Sequence, residues 1–203
     1  MELLLATANP GKVREFRDLL AVGHSSWHDL SEFPGSEPVA ETGRTFRENA
    51  CLKASRYACR HRMWALADDS GLEVDALGGA PGVTSARWAE LHDLGKGDAN
   101  NNKTLLQQLD DVPDDRRTAR FVCVLALSDP GGRVILTARD TMDGVILRAP
   151  RGGNGFGYDP LFNVPALART TAELGAEEKH RISHRGKALR RLRNMMSRTG
   201  LLS

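Results

Sequence analysis

The chain has 203 residues, of which 40% are hydrophobic, 27% charged and 5% aromatic, a composition that excludes a collagen, a coiled coil and a disordered tail. Its longest apolar run, residues 121–127, falls well short of the roughly 20 residues a membrane-spanning helix needs, and Glu2 with no basic stretch before it does not read as a signal peptide. The net charge of +2 is unevenly placed, because residues 179–203 hold eight Lys or Arg and no acid, a pattern that suits an anionic ligand or a solvated helix face equally well.

In chain order, residues 3–6 form a short apolar strand, and Asn9-Pro10 then supplies an N-cap and a first helical position for a helix carrying Val13, Phe16 and Leu19. Thr45-Phe46-Arg47-Glu48 has the form of a capping box, opening a helix that runs toward Arg62. Residues 64–67 read as a buried strand stopped by Asp68-Asp69-Ser70-Gly71. An alternating stretch follows at 72–77, and then a loop is forced by Gly78-Gly79-Ala80-Pro81-Gly82. A helix holds Leu105, Leu106 and Leu109. Residues 120–127 and 133–139 flank Asp129-Pro130-Gly131-Gly132 as a hairpin, and 144–147 reads as a third strand. A glycine-rich loop at 152–157 precedes a last helix with Leu189, Leu192, Met195 and Met196. These elements describe an α/β protein with a mixed, partly antiparallel central sheet.

Three cysteines, an odd number with no Cys-x-x-Cys pair, suit reduced thiols in the cytoplasm rather than a disulfide framework or a zinc site. His24/His28 and His180/His184 stand four apart but lack a third ligand at zinc spacing, so neither pair is read as a metal site.

Five segments could carry chemistry. Thr7-Ala8-Asn9-Pro10-Gly11-Lys12 joins a strand to a helix N-terminus, where backbone amides and a lysine suit phosphate, although a capped surface turn has the same form. It is not a Walker A loop. Glu41 with Asp68 and Asp69 offers hard oxygens for Mg²⁺ and a base for a water, against the plainer reading of an Asp-Asp-Ser-Gly turn. Lys53 lies one turn from Asn49 beside Leu52 and Ala54, as an ammonium at the edge of a core or a snorkelling surface lysine. In 152–160, Phe156 between glycines suits a stacking platform for a base, with Asp159 holding the loop, or an ordinary aromatic anchor. Finally, Ser183 can cap the last helix, leaving His184 and Arg185 in its first turn, where cations oppose the dipole by about 0.3–1 kcal/mol each. Donors aimed at a carbonyl or phosphate explain them better.

Six collinear motifs carry a family resemblance: Thr-x-Asn-x-Gly-Lys at 7–12, Glu-Thr-Gly-x-Thr-Phe-x-Glu-Asn-Ala at 41–50, Ala-Asp-Asp-Ser-Gly-Leu at 67–72, Gly-Gly-Ala-Pro-Gly-Val at 78–83, Gly-Phe-Gly-Tyr-Asp-Pro-Leu-Phe at 155–162 and Ser-His-Arg-Gly-x-Ala-Leu at 183–189. The sequence resembles, end to end, the non-canonical purine nucleoside triphosphate pyrophosphatases, the inosine triphosphatase or Ham1 family. The resemblance implies one domain over 1–203 with two lobes, a twisted mixed sheet flanked by helices, and a substrate groove between lobes. It implies Mg²⁺-dependent hydrolysis of ITP, dITP and XTP to the monophosphate and pyrophosphate by a cytoplasmic homodimer that engages neither nucleic acid nor membrane. Under it, Thr7 through Lys12 (Thr7, Ala8, Asn9, Pro10, Gly11, Lys12) hold the triphosphate with help from Lys53. Glu41 and Asp69 coordinate the metal, with Asp69 also the proton acceptor and Asp68 beside it. Ser70 contacts substrate; Phe156, Gly157, Tyr158 and Asp159 stack on and position the nucleoside; Lys179, His184 and Arg185 read the base. Position 8 is Ala in the first loop, and residues 164–176 match no pattern of the family.

A Maf-type pyrophosphatase for pyrimidine or modified nucleotides is the nearest rival, and the intact 183–186 segment argues against it. A nucleic-acid module using the basic C-terminal helix would leave the acidic set unexplained. A catalytically dead nucleotide sensor would require a lost carboxylate, and none is missing.

Overall fold

A computed structural model describes residues 2–20 and 27–201. His24 of the first histidine pair lies outside the described residues, while His28 Nδ1 sits 2.8 Å from Glu32. Among the described residues, seven strands form one mixed sheet in the order β2-β1-β3-β4-β5-β6-β7: β1 Leu3–Leu5, β2 Trp27–Asp29, β3 Trp64–Val74, β4 Thr118–Ser128, β5 Val134–Ile146, β6 Phe162–Val164 and β7 Arg169–Thr170. β1 runs parallel to both its neighbours, pairing Leu4 with His28 and with Ala65. At the other end, β6 is antiparallel to β5 and to β7. Among the described residues, five α-helices accompany the sheet: α1 Pro10–Leu20, α2 Phe46–His61, α3 Asp98–Gln108, α4 Ala176–Ile182 and α5 His184–Arg198.

Chain contacts divide the molecule into two compact units, one of residues 1–69, 123–140 and 185–203, the other of 70–122 and 141–184. In the first, Leu3, Leu5 and Leu66 meet Phe16 of α1, Cys123, Leu125 and Leu127 of β4, and Ala188, Leu189, Leu192 and Met196 of α5. The i, i+1, i+4, i+8 spacing in α5 makes one apolar stripe and turns its arginines elsewhere. In the second, Leu72, Val74, Leu105, Leu109, Phe121, Met142, Leu161 and Phe162 form a separate core. Arg117 is wholly buried there, its Nε donating to Ile146 O at 2.9 Å and its Nη2 to Leu147 O at 3.1 Å.

Four sequence expectations need correction. The strand from Trp64 does not stop at Asp68-Asp69-Ser70-Gly71: β3 runs straight through to Val74, because both carboxylates find cationic partners and no turn is needed to reach water. Residues 144–147 are not a third strand; the segment to Ile146 is the end of β5. The capping box is half formed. Thr45 accepts from Glu48 N at 3.1 Å, but Glu48 reaches back to Arg44 N at 2.6 Å instead of to the cap itself. Lys53 is not a surface lysine, since it lies on the buried stripe Phe46, Asn49, Ala50, Lys53, Ala54, Tyr57 of α2. The first loop and helix follow the expected pattern, with Lys12 N donating to Asn9 Oδ1 at 3.0 Å and Val13 N to Asn9 O at 2.9 Å.

Candidate active site

Successive side chains of a strand point to opposite faces, so the adjacent aspartates of β3 lie in different surroundings. Both are buried. Asp68 Oδ1 pairs with Lys12 Nζ, while Oδ2 accepts from Arg185 Nε at 3.3 Å and from the Cys123 thiol at 3.0 Å. Arg185 Nη1 in turn donates to Glu15 of α1. Residues of α1, β3, β4 and α5 thus close one buried network of two cations and two carboxylates, and the dipole penalty expected for Arg185 in the first turn of α5 is offset by those acids. Burial alone would raise the Asp68 carboxyl; Arg185 and Lys12 outweigh it and hold Asp68 well below the usual carboxylate range. Burial and then the Asp68 charge push the Cys123 thiol well above its ordinary value, which makes it a neutral donor and not a nucleophile.

On the other face, Lys53 Nζ donates to Asp69 Oδ1 at 2.9 Å and to Glu41 Oε1 at 2.7 Å. Glu41 is positioned by the segment leading into α2, where Gly43 N donates to Asn49 Oδ1 at 2.8 Å. A Cβ at Gly43 would stand 2.6 Å from that oxygen, so only glycine permits the approach. Asp69 Oδ2 is buried with no hydrogen-bond partner among the described residues. Burial raises the Asp69 carboxyl against the pull of Lys53 and Lys12, and Glu41 adds to the rise. For Lys53, burial acts downward, but Asp69 and Glu41 carry the net shift up, so it stays an ammonium.

An orphaned buried carboxylate oxygen next to a second carboxylate is a hard-oxygen donor set of the kind Mg²⁺ takes. Among the described residues, no group of three or more His, Cys, Asp or Glu is placed to hold a metal. The protein's share would then be two carboxylates, with water and phosphate oxygens completing the shell, which is the usual arrangement for this ion.

The second unit organises a different site around Asp159. Its Oδ2 accepts from Phe156 N at 2.8 Å and Lys179 Nζ at 2.6 Å, and its Oδ1 accepts from Thr171 Oγ1 at 2.7 Å. The Lys179 ammonium lies 5.2 Å from the centroid of the half-buried Phe156 ring, within cation–π range. Gly155 has φ +78°, and a Cβ there would stand 2.0 Å from Asp159 Oδ2, so the loop tolerates no other residue at that turn. Gly157 is gripped from α3: its N donates to Asp98 Oδ2 at 2.6 Å and its O accepts from Asn102 Nδ2 at 2.9 Å. Tyr158 is buried with its hydroxyl on Ser85 O at 2.9 Å, an anchor beneath the loop. The His184 ring stacks on Phe121, with centroids 4.9 Å apart and planes at 18°.

The predicted residues therefore fall into two groups. Lys12, Glu41, Lys53, Asp68, Asp69 and Arg185 gather in the first unit, where Thr7 is half-buried, Ala8, Asn9 and Pro10 are exposed and Gly11 is buried. Phe156, Gly157, Tyr158, Asp159, Lys179 and His184 belong to the second, with half-buried Ser70 following Asp69 on β3. Sequence reasoning missed Glu15, Cys123, Asp98, Asn102 and Thr171. Only Glu15 had a local signal, as an acid one turn from Lys12 beside the core residue Phe16; the others act across 12 to 59 residues of chain.

Residues 3–195 match the Ham1 family. A dITP/XTP pyrophosphatase of Geobacillus kaustophilus is 52% identical over 94% of this chain and 92% of its own length, and one of Desulforamulus reducens is 52% identical over 98% and 96%. Among solved structures, a HAM1 protein from Coxiella burnetii superposes with a TM-score of 0.86 at 42% identity over 98% of this chain and 99% of its own. A nucleoside-triphosphatase / dITP/XTP pyrophosphatase from Mycobacterium abscessus gives 0.73 at 43% identity over 95% and 97%. With the family pattern running nearly end to end and the fold shared with these structures, the chain belongs to the Ham1 family.

Proposed function

We infer that this protein is a dITP/XTP pyrophosphatase, hydrolysing ITP, dITP and XTP to the nucleoside monophosphate and pyrophosphate and so clearing them from the nucleotide pool. The relatives of the same name, about half identical over nearly the full chain, support the reaction. The observation that carries the chemistry is Asp69, a buried carboxylate with one oxygen on Lys53 and the other open to a further partner.

Water adds to the α- or the β-phosphorus, the P–O bond from that phosphorus to the oxygen bridging the two breaks, and the departing group, pyrophosphate or the monophosphate respectively, keeps the electron pair. Asp69 takes the proton of the attacking water. Its raised carboxyl suits that task, because a base with a pKa nearer the working pH gives up less driving force. Lys53 holds Asp69 and Glu41 in register and sets a positive charge where the phosphates gather. The residues fit Mg²⁺, which Glu41 and Asp69 would hold; bound there, the ion neutralises phosphate charge and acidifies coordinated water. Thr7 through Lys12 would receive phosphate oxygens at the opening turn of α1, whose first amides have no intrahelical acceptor. Asp68, kept ionised by Arg185 and Lys12, fixes the Lys12 ammonium at that turn.

In the second unit, Phe156 offers its ring to the purine, while Asp159 orders the loop and the Lys179 ammonium together. Lys179 and His184 supply donors for the 6-oxo group of hypoxanthine or xanthine. Adenine presents an amino group at that position and leaves such donors unsatisfied, a mismatch that discriminates strongly in a dry site. By the same resemblance we propose a cytoplasmic homodimer; three free cysteines are consistent with a reducing compartment.

The experiment is pyrophosphate release from ITP, XTP, GTP and ATP, with Mg²⁺ and with chelator. Metal-dependent release favouring ITP and XTP is the expected result. A pyrimidine preference would transfer the protein to a Maf-type activity, and no release from any substrate would overturn the enzymatic reading.

A further inference from the structure

A second cationic site stands within the first unit. A cavity of about 660 Å³ is lined by four arginines from three elements: Arg47 in the first turn of α2, Arg139 of β5, and Arg191 and Arg198 of α5. None of the residues lining it belongs to the carboxylate cluster. Among the described residues, none of the four guanidinia has a carboxylate within ion-pair distance. Some other arginines of this chain do: Arg17 pairs with Asp29 at 2.7 Å, Arg120 with Asp75 at 2.6 Å and Arg148 with Asp114 at 2.7 Å. Two of the four lie against neutral groups instead. Arg191 Nη1 donates to Arg139 O at 3.2 Å, and the Arg47 side chain hydrogen-bonds the Cys51 thiol.

Gathering four like charges on one cavity with no acid among its lining residues is unfavourable unless an anion visits it. Guanidinium forks match phosphate oxygens two at a time. The lining also includes an apolar part, Val124, Ala138 and Met195, and the volume lies in the range of small-molecule pockets, about 300–1,000 Å³. A single phosphate would leave most of that space empty. We propose that this cavity binds a small molecule bearing an oligophosphate, separately from the catalytic cluster, with the phosphates on the four arginines and any attached ring against the apolar residues. The ligand's source is either an inorganic oligophosphate or a nucleotide, and the two are separable by experiment.

The test is calorimetric titration of the full-length protein in chelator with inorganic tripolyphosphate and, separately, with ADP. Lys53→Ala weakens phosphate binding at the catalytic cluster, and the paired substitution R139A/R191A removes half the cavity's charge. Binding that persists at one ligand per chain in Lys53→Ala, and weakens at least tenfold in R139A/R191A with dITP turnover unchanged, is the expected result. Partial recovery in R139K/R191K, which restores charge without the fork, would support it further. Tighter ADP than tripolyphosphate identifies a nucleotide; equal affinities identify an inorganic ligand. Loss of binding in Lys53→Ala with none in R139A/R191A would overturn the proposal by returning both probes to the catalytic cluster. So would tighter binding of a DNA oligonucleotide than of either probe, or a dimer dissociated by Arg191→Glu in sedimentation, which would make a second copy of the chain the occupant.

Discussion

The carboxylate cluster of the first unit and the glycine loop of the second use opposite means to hold charged groups still. In the first, every charge but Glu41 sits on a strand or helix, and each is fixed by another charge: Lys12 by Asp68, Arg185 by Glu15 and Asp68, Lys53 by Glu41 and Asp69. In the second, the Asp159 carboxylate orders a loop whose turn depends on Gly155, with side-chain contacts from Asp98 and Asn102 to the backbone of Gly157 completing the hold. Groups that move protons and neutralise phosphate need fixed positions and tuned ionisation, which regular elements and mutual ion pairs provide. A surface that accepts a flat base needs shape, and a loop braced at a few points can provide that.

Breaking the first region should show in rate and stability; breaking the second should show in affinity. Asp69→Asn removes the proton acceptor and should lower kcat by about 10²–10⁴-fold, the usual share of a general base, while the melting temperature holds steady or rises. Retained turnover in a pyrophosphate-release assay would end its role as base. Arg185→Ala leaves Asp68 and Glu15 buried without their guanidinium and should destabilise by about 3–5 kcal/mol. At this chain length that is roughly a 6–20 °C fall in Tm by calorimetry. Phe156→Ala should raise KM for ITP by about 5–150-fold, the equivalent of one stacked base at ~1–3 kcal/mol, with kcat changed far less. An equal loss in kcat would mean that the ring takes part in the transition state.

The two aspartates sharpen the same comparison through pH. Asp69 is raised, so its basic form is lost at a higher pH than for an ordinary carboxylate, and kcat/KM should fall on acidification from that point. Asp68 is depressed, so below the unfolded pKa of about 3.9 the unfolded chain binds the proton that the native state refuses. Its contribution to stability is therefore full above that value and lost as pH falls through the lowered native pKa. Melting curves from pH 7 to 3 should show the loss at low pH, and in Arg185→Met the loss should be smaller, because the native pKa of Asp68 moves back toward the unfolded value. The smallest effect concerns thiols: exposed Cys59 should react with a maleimide in the native protein, whereas buried Cys123, held neutral, should react only after unfolding.

By itself the sequence determined the local pieces whose causes are local. Asn9 and Pro10 dictate the start of α1, Thr45 caps α2, the 129–133 turn joins β4 to β5, and the apolar stripe of α5 is written at helical spacing. The acidic pair, the glycine loop and the basic end were visible as residue types at telling positions, because charges and glycines crowded together conflict with ordinary packing. Tertiary structure alone decided whether Asp68-Asp69 was a turn or a strand, and which carboxylate would be held ionised and which raised. Strand propensity argues against two adjacent aspartates, and only cations delivered from α1, α2 and α5 overcome it. It also decided that Lys53 is buried, and that Asp98 and Asn102 grip a loop more than fifty residues away. Such long-range pairings leave no periodic trace in a chain, since each depends on where the sheet brings distant elements together.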